Sequence, residues 1–111
     1  MGFLGKLFGR KEEEKAASTP NIEVKAAAKK ESIPPEKVGL DGKFDESGLA
    51  KRVAKALDDA GISDSVGLWV AQTGSKVVLK YNDDAKAVLT QAESVAKGVD
   101  GATAVESLPN T

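Results

Sequence analysis

The stretch that most constrains how this chain folds is residues 82–98, NDDAKAVLTQAESVAKG, which reads as a helix with its start, stop and buried face all visible. Ala85, Val88, Leu89, Ala92, Val95 and Ala96 recur at i, i+3, i+4, i+7, i+10 and i+11, the spacing of one apolar stripe. Asn82, Asp83 or Asp84 can cap its start, and Gly98 stands where it should stop. Strand-like residues 76–81 precede it and strand-like residues 103–108 follow, so the three segments form a β-α-β unit. Strands joined through a helix lie parallel, with the helix packed across them in a right-handed crossover.

The elements before this unit are its partners. Residues 48–60 predict a helix whose Leu49, Val53, Ala56 and Leu57 fall at i, i+4, i+7 and i+8, with Asp45 or Ser47 as N-cap and Gly61 at the left-handed position past its end. Asp58 and Asp59 occupy its last turn, where the helix dipole disfavours negative charge. Residues 66–72 alternate, with Val66, Leu68 and Val70 on one face and Gly67, Trp69 and Ala71 on the other. The turn Thr73-Gly74-Ser75 returns the chain as an antiparallel hairpin into residues 76–81. Val77, Leu79 and Tyr81 then face inwards, and Lys76, Val78 and Lys80 face out. Pro109 should end the pairing of the last strand.

The expected fold is therefore α+β, in the order α-β-β-α-β: a three-stranded mixed sheet with two helices on one face, preceded by a flexible N-terminal arm. The boundaries are a short basic amphipathic segment at 1–11, a linker at 12–42 and the domain at 43–109. Within the linker, Thr19-Pro20 can open a short helix over 22–30, which Ile33-Pro34-Pro35 would end.

Composition excludes several kinds of chemistry. The chain has no Cys and no His, which removes thiol nucleophiles, disulfides, imidazole bases and zinc clusters of the usual type. Residues 1–42 carry 8 basic and 7 acidic side chains and residues 43–111 carry 8 and 10, so neither half has the bias of a nucleic-acid-binding domain. The run Gly98-Val99-Asp100-Gly101 matches the GXXG loop of KH domains in outline. It joins a helix to a strand, however, and places an Asp where phosphate contact wants a base. No run approaches the ~20 apolar residues of a spanning helix, and no signal-peptide core is present, so cytoplasmic residence, peripheral to the inner membrane face at most, is expected. Nothing pairs a nucleophile or metal with a base, and no enzyme activity is expected.

The order of elements, Gly74 followed by Val77-Val78-Leu79, and the ending from Val95-Ala96-Lys97-Gly98 through Gly101 to Val105 resemble the BON domain family over roughly residues 44–108. The family often has a second Gly just after the apolar strand, where this chain has Lys80-Tyr81. The resemblance implies a non-enzymatic binding module in contact with phospholipid. In one cytoplasmic branch that joins BON to LysM, it implies potassium binding. Residues 1–8 and Gly61-Ile62-Ser63-Asp64 are similar to that branch, although no room remains for a LysM domain after Leu108.

Three candidate sites follow. In the first eleven residues a helix would gather Phe3, Leu4, Leu7 and Phe8 on one side, with Lys6, Arg10 and Lys11 towards an acidic surface, as in a membrane anchor or docking peptide. The plain alternative is a loose terminus with incidental hydrophobes, since three glycines in nine residues weaken a free helix. On the outer sheet face, Trp69 and Val78 form a surface for lipid, a protein partner or a second copy, unless Ile33, Val38 or Phe44 folds back over them. Around Gly61, Asp58, Asp59 and Asp64 offer carboxylates to a cation such as potassium, or are solvated surface charge. The expected function is a binding module that meets a membrane surface or protein partner, with a cation-responsive protein and a self-associating module as alternatives.

Overall fold

The computed structural model describes residues 2–18 and 24–110. Its domain is α+β, with a three-stranded mixed sheet and two helices on one face. Helix α1 covers Phe3–Phe8, α2 Arg10–Ser18, α3 Val24–Glu31, α4 Gly48–Asp59 and α5 Lys86–Lys97; strands β1, β2 and β3 cover Leu68–Thr73, Lys76–Tyr81 and Ala104–Pro109. Single 3-10 turns precede the domain at Pro35–Lys37 and open α5 at Asp83–Ala85. The capping pair Thr19-Pro20 lies outside the described residues; the helix expected beyond it is α3.

The sheet order is β1-β2-β3, antiparallel between β1 and β2 and parallel between β2 and β3. The hairpin turns over Gly74 and Ser75, with Thr73 paired to Lys76 and Gly74 at φ +60°, a conformation that favours glycine. Pairing continues through Tyr81↔Pro109. Pro109 therefore does not stop the ladder but forms its last rung, and this is tolerated because β3 is an edge strand whose outer side needs no donor.

Leu68, Val70, Val77 and Leu79 project from the inner face onto α4 and α5. Leu49, Val53 and Leu57 of α4 are fully buried there, as are Ala85, Ala92 and Ala96 of the second helical unit, while Val88, Leu89 and Val95 pack at the margin. Small residues on the α5 stripe bring that helix close to the sheet. Neither helix would persist alone at 12 residues, so the apolar faces and the strands form together.

The helix caps come from elsewhere in the chain. Neither Asp45 nor Ser47 caps α4; Asp45 instead accepts the backbone N–H of Ser47, and the Gln72 side chain of β1 accepts the Ala50 N–H at 2.8 Å. Gln72 also donates to the carbonyls of Glu36 and Gly74, both at 2.9 Å, so one amide fixes the start of α4, the hairpin and the incoming chain. Asp84 likewise does not cap α5, and its carboxylate accepts the Gly67 N–H at 2.9 Å. At the other helix ends, Gly61 has φ +78° as expected, whereas Gly98 stays right-handed and the left-handed turn falls at Gly101.

Before the domain, α2 and α3 are helical, and the chain at Pro35–Val38 lies against α4. Val24, Ala28 and Val38 form a second small core with Ile33, and Val38 bridges to Phe44. Arg52 of α4 is 8 % exposed and, with the Asp100 charge nearby, is held chiefly by backbone carbonyls. Its Nε donates to the Val38 carbonyl at 2.7 Å, and its two terminal nitrogens donate to the carbonyls of Pro35 and Asp100. One guanidinium thus ties the incoming chain and the α5–β3 turn to the same helix.

Candidate functional site

Two of the three expected sites are rearranged by the fold. Phe3 is fully buried and Leu4 nearly so, both within the main core, with Leu7 and Phe8 half-buried beside them. The expected contact face of the N-terminal peptide is therefore turned inwards, onto α4 and β1. The physical reason is the acidic end of α4. The Asp58 carboxylate accepts the Phe3 N–H at 2.6 Å and the Leu4 N–H at 3.2 Å, satisfying two of the unpaired amides at the start of α1. A carboxylate at the wrong end of its own helix dipole stands at the right end of another. Lys6 closes the other side of the berth by donating to the carbonyls of Asp64 and Val66 at 2.8 and 3.1 Å.

Burying Phe3 and Leu4 contributes about 1.5–3 kcal/mol each, and the carboxylate at the helix start adds about 0.3–2 kcal/mol. Ordering the backbone costs about 1–2 kcal/mol per residue over a six-residue helix. Burial thus opposes chain ordering, and the contacts of Asp58 and Lys6 add to burial in holding α1.

The acidic residues around Gly61 are drawn into contacts within the chain. Asp58 serves α1 and Asp59 pairs with Lys55 at 2.7 Å, whereas Asp64 contributes only its backbone carbonyl, which receives Lys6. Asp58 and Asp64, with Glu13, rim an open depression of about 410 Å³. Among the described residues no group of three or more carboxylates is arranged to hold a metal ion.

A partly buried ion network flanks the same berth. Lys51 of α4 lies 2.8 Å from Asp45 and 3.3 Å from Glu12 of α2, with all three side chains under one-fifth exposed, and sits 5.9 Å from the centre of the Phe8 ring. Burial works to raise the Asp45 pKa, but the hydrogen bonds from Lys51 and the Ser47 N–H, with the charges of Lys51 and Lys15, outweigh it and hold it below its ordinary value of 3.8. Burial works to lower the Lys51 pKa, and its carboxylates outweigh that to raise it above 10.5. A depressed carboxylate adds stability above 3.8 that is lost as pH falls through its folded value, and a raised lysine adds stability below 10.5 that is lost as pH rises through its folded value. Urea midpoints should therefore fall at both the acid and the alkaline edge. Lys51→Met should flatten both slopes, and unchanged slopes would mean that the network is solvated.

The outer sheet face remains open. The register aligns Trp69, Lys80 and Leu108 in one row across the three strands, with Ala71, Val78 and Glu106 in the next. Trp69 is 37 % and Leu108 39 % exposed, whereas Val78 is only 9 % exposed. Val78 is thus not the exposed contact expected of it, because the middle strand gives it a neighbour on either side. Val38 and Ile33 do not cover Trp69; they belong to the second small core, and Phe44 is itself 57 % exposed with the Lys37 Nζ 5.9 Å from its ring centre. Lys76 pairs with Glu106 at 3.1 Å, which leaves Lys80 as the cation beside Trp69 and Leu108.

No protein-family model, curated protein or solved structure matches this chain. The reading of its function accordingly rests on its own geometry. Among the described residues no helix is long and apolar enough to cross a membrane.

The burial of Phe3 is not legible in the local pattern, since its partner Asp58 is 55 positions away. A signal is nonetheless present: two aspartates in the last turn of α4 oppose the helix dipole and need a positive partner from elsewhere. Alternation already turns Lys80 outwards, but its alignment with Trp69 and with Leu108 comes from the strand registers, which sequence spacing does not give.

Proposed function

We propose that this chain is a non-enzymatic binding module of BON-like architecture that meets an anionic lipid surface through the open face of its sheet. The observation that carries this reading is the Trp69–Lys80–Leu108 row, an aromatic, a cation and an aliphatic side chain aligned across all three strands and exposed among the described residues. Trp is favoured where one side of a surface is apolar and the other wet, and a lysine beside it can bury its stem and keep its charge at the headgroups. The element order α-β-β-α-β formed by α4, β1, β2, α5 and β3 supports the BON resemblance.

Trp69 is the chain's single tryptophan, so its emission reports this face without mutation. Titration with vesicles of mixed phosphatidylcholine and phosphatidylglycerol should shift the emission to the blue, and phosphatidylcholine alone should do less. Leu108→Ser should weaken the association about tenfold, the worth of burying one leucine side chain at the lower end of its range. Emission that stays unchanged with anionic vesicles would sink the lipid reading. A shift that appears on raising protein concentration without lipid would instead assign the face to a second copy.

A further inference from the structure

The docked N-terminal helix carries a second contact surface. We propose that α1 is a stowed lipid-contact helix, held on the domain by the Asp58 carboxylate and the carbonyls that receive Lys6, and released to an anionic lipid surface. The berth and such a surface offer the helix the same two things, an apolar bed for Phe3, Leu4, Leu7 and Phe8 and acceptors for its positive groups. The released residues up to Phe8 carry Lys6 and no acidic side chain, and Arg10 and Lys11 follow directly at the start of α2, so release presents basic charge beside an apolar face. Arg10 already lies at the surface, its side chain 91 % exposed in a loose pair with Glu14.

Two features make release local. α1 has six residues and ends at Gly9, whose φ of +96° breaks it from α2, so rotation there moves α1 without unwinding its neighbour. A free helix that short does not persist in water, so α1 keeps its form only on the domain or on another surface. Lipid therefore competes with the berth for the same apolar side chains, and Asp58 sets the balance.

The inference rests on the reading that this chain meets lipid, and one double substitution separates the two. A Cβ built on Gly2 would fall against the Asp58 side chain, so Gly2→Cys with Asp58→Cys places two thiols within bridging reach in a chain that has no other cysteine. Oxidised, the pair locks α1 in its berth and leaves the sheet face to act alone. Reduced, it lacks the carboxylate and holds the helix less firmly. The reduced protein should bind phosphatidylcholine–phosphatidylglycerol vesicles at least about tenfold more tightly than the oxidised protein, since more apolar surface is available to the lipid. Asp58→Asn, which keeps the shape and removes the charge, should fall between wild type and the reduced pair.

Equal binding by the oxidised and reduced forms would overturn the proposal, whatever the sheet face does. So would a reduced protein that loses its cooperative unfolding transition, because α1 would then be a fixed part of the core, and so would a reduced protein that exchanges α1 into a dimer by light scattering. Oxidised protein that binds no vesicles, with reduced protein that does, would remove the sheet-face reading and leave this one standing.

Discussion

Phe3→Ala should destabilise the protein by about 3–5 kcal/mol, the usual cost of deleting a fully buried phenylalanine. Urea unfolding followed by Trp69 emission measures it, and a loss under about 1 kcal/mol would show that the docked helix contributes little to the core. The value carries more than a cavity cost. A chain that can release α1 cannot lose more by this substitution than the free energy with which α1 is docked. A loss in the stated range therefore sets a floor on docking and keeps roughly one molecule in a hundred or fewer open in solution. The stowed helix would then contribute to lipid binding only when the surface itself offsets its release, which makes the wild-type chain a weak binder and the Asp58 variants stronger ones.

Arg52→Met should cost a comparable amount, about 3–5 kcal/mol, although it replaces a charge with an apolar side chain of similar length. The guanidinium serves the carbonyls of Pro35, Val38 and Asp100, and the variant leaves all three in a crowded, largely buried place without a donor. Burial lowers the Arg52 pKa and the nearby Asp100 charge offsets part of this, so the site holds a cation by hydrogen bonding more than by pairing. Arg52→Lys should recover only part of the loss, because an ammonium cannot span three carbonyls in a planar fork. Chemical denaturation of both variants is the measurement. If Arg52→Met unfolds at the wild-type midpoint, water replaces the guanidinium at low cost and the incoming chain is not fixed through this helix.

Much of the domain is legible in the order of residues alone. The period of the stripe at 85–96 places α5, the alternation at 66–81 with Gly74 places the hairpin, and the stripe of Leu49, Val53 and Leu57 places α4 and its buried side. These are local properties, set by which side chains fall on one face, and each face needs only one consistent partner. The candidate site is less legible. Alternation marks Trp69 as an outward side chain, but its companions Lys80 and Leu108 come from the register of three strands, and Val78 loses its exposure to its neighbours on both sides. The caps depart from local expectation for a related reason. Asp45, Ser47 and Asp84 are suitable residues at suitable places, yet Gln72 arrives from β1 with a better-placed acceptor for α4, and Gly67 takes the Asp84 carboxylate.

The N-terminal segment shows where the division falls. Residue order is enough to say that positions 3–8 combine apolar side chains with basic charge, that the sheet carries two helices on one face, and that thiol and imidazole chemistry is absent. It takes the folded chain to show that Phe3 completes the core, that Asp58 caps a helix more than fifty positions away, and that Arg52 gathers carbonyls from three separate places. Periodicity specifies a face and a local cap within a turn or two. Which distant group meets that face depends on the summed burial and hydrogen bonding of the whole chain, and no short stretch contains that sum.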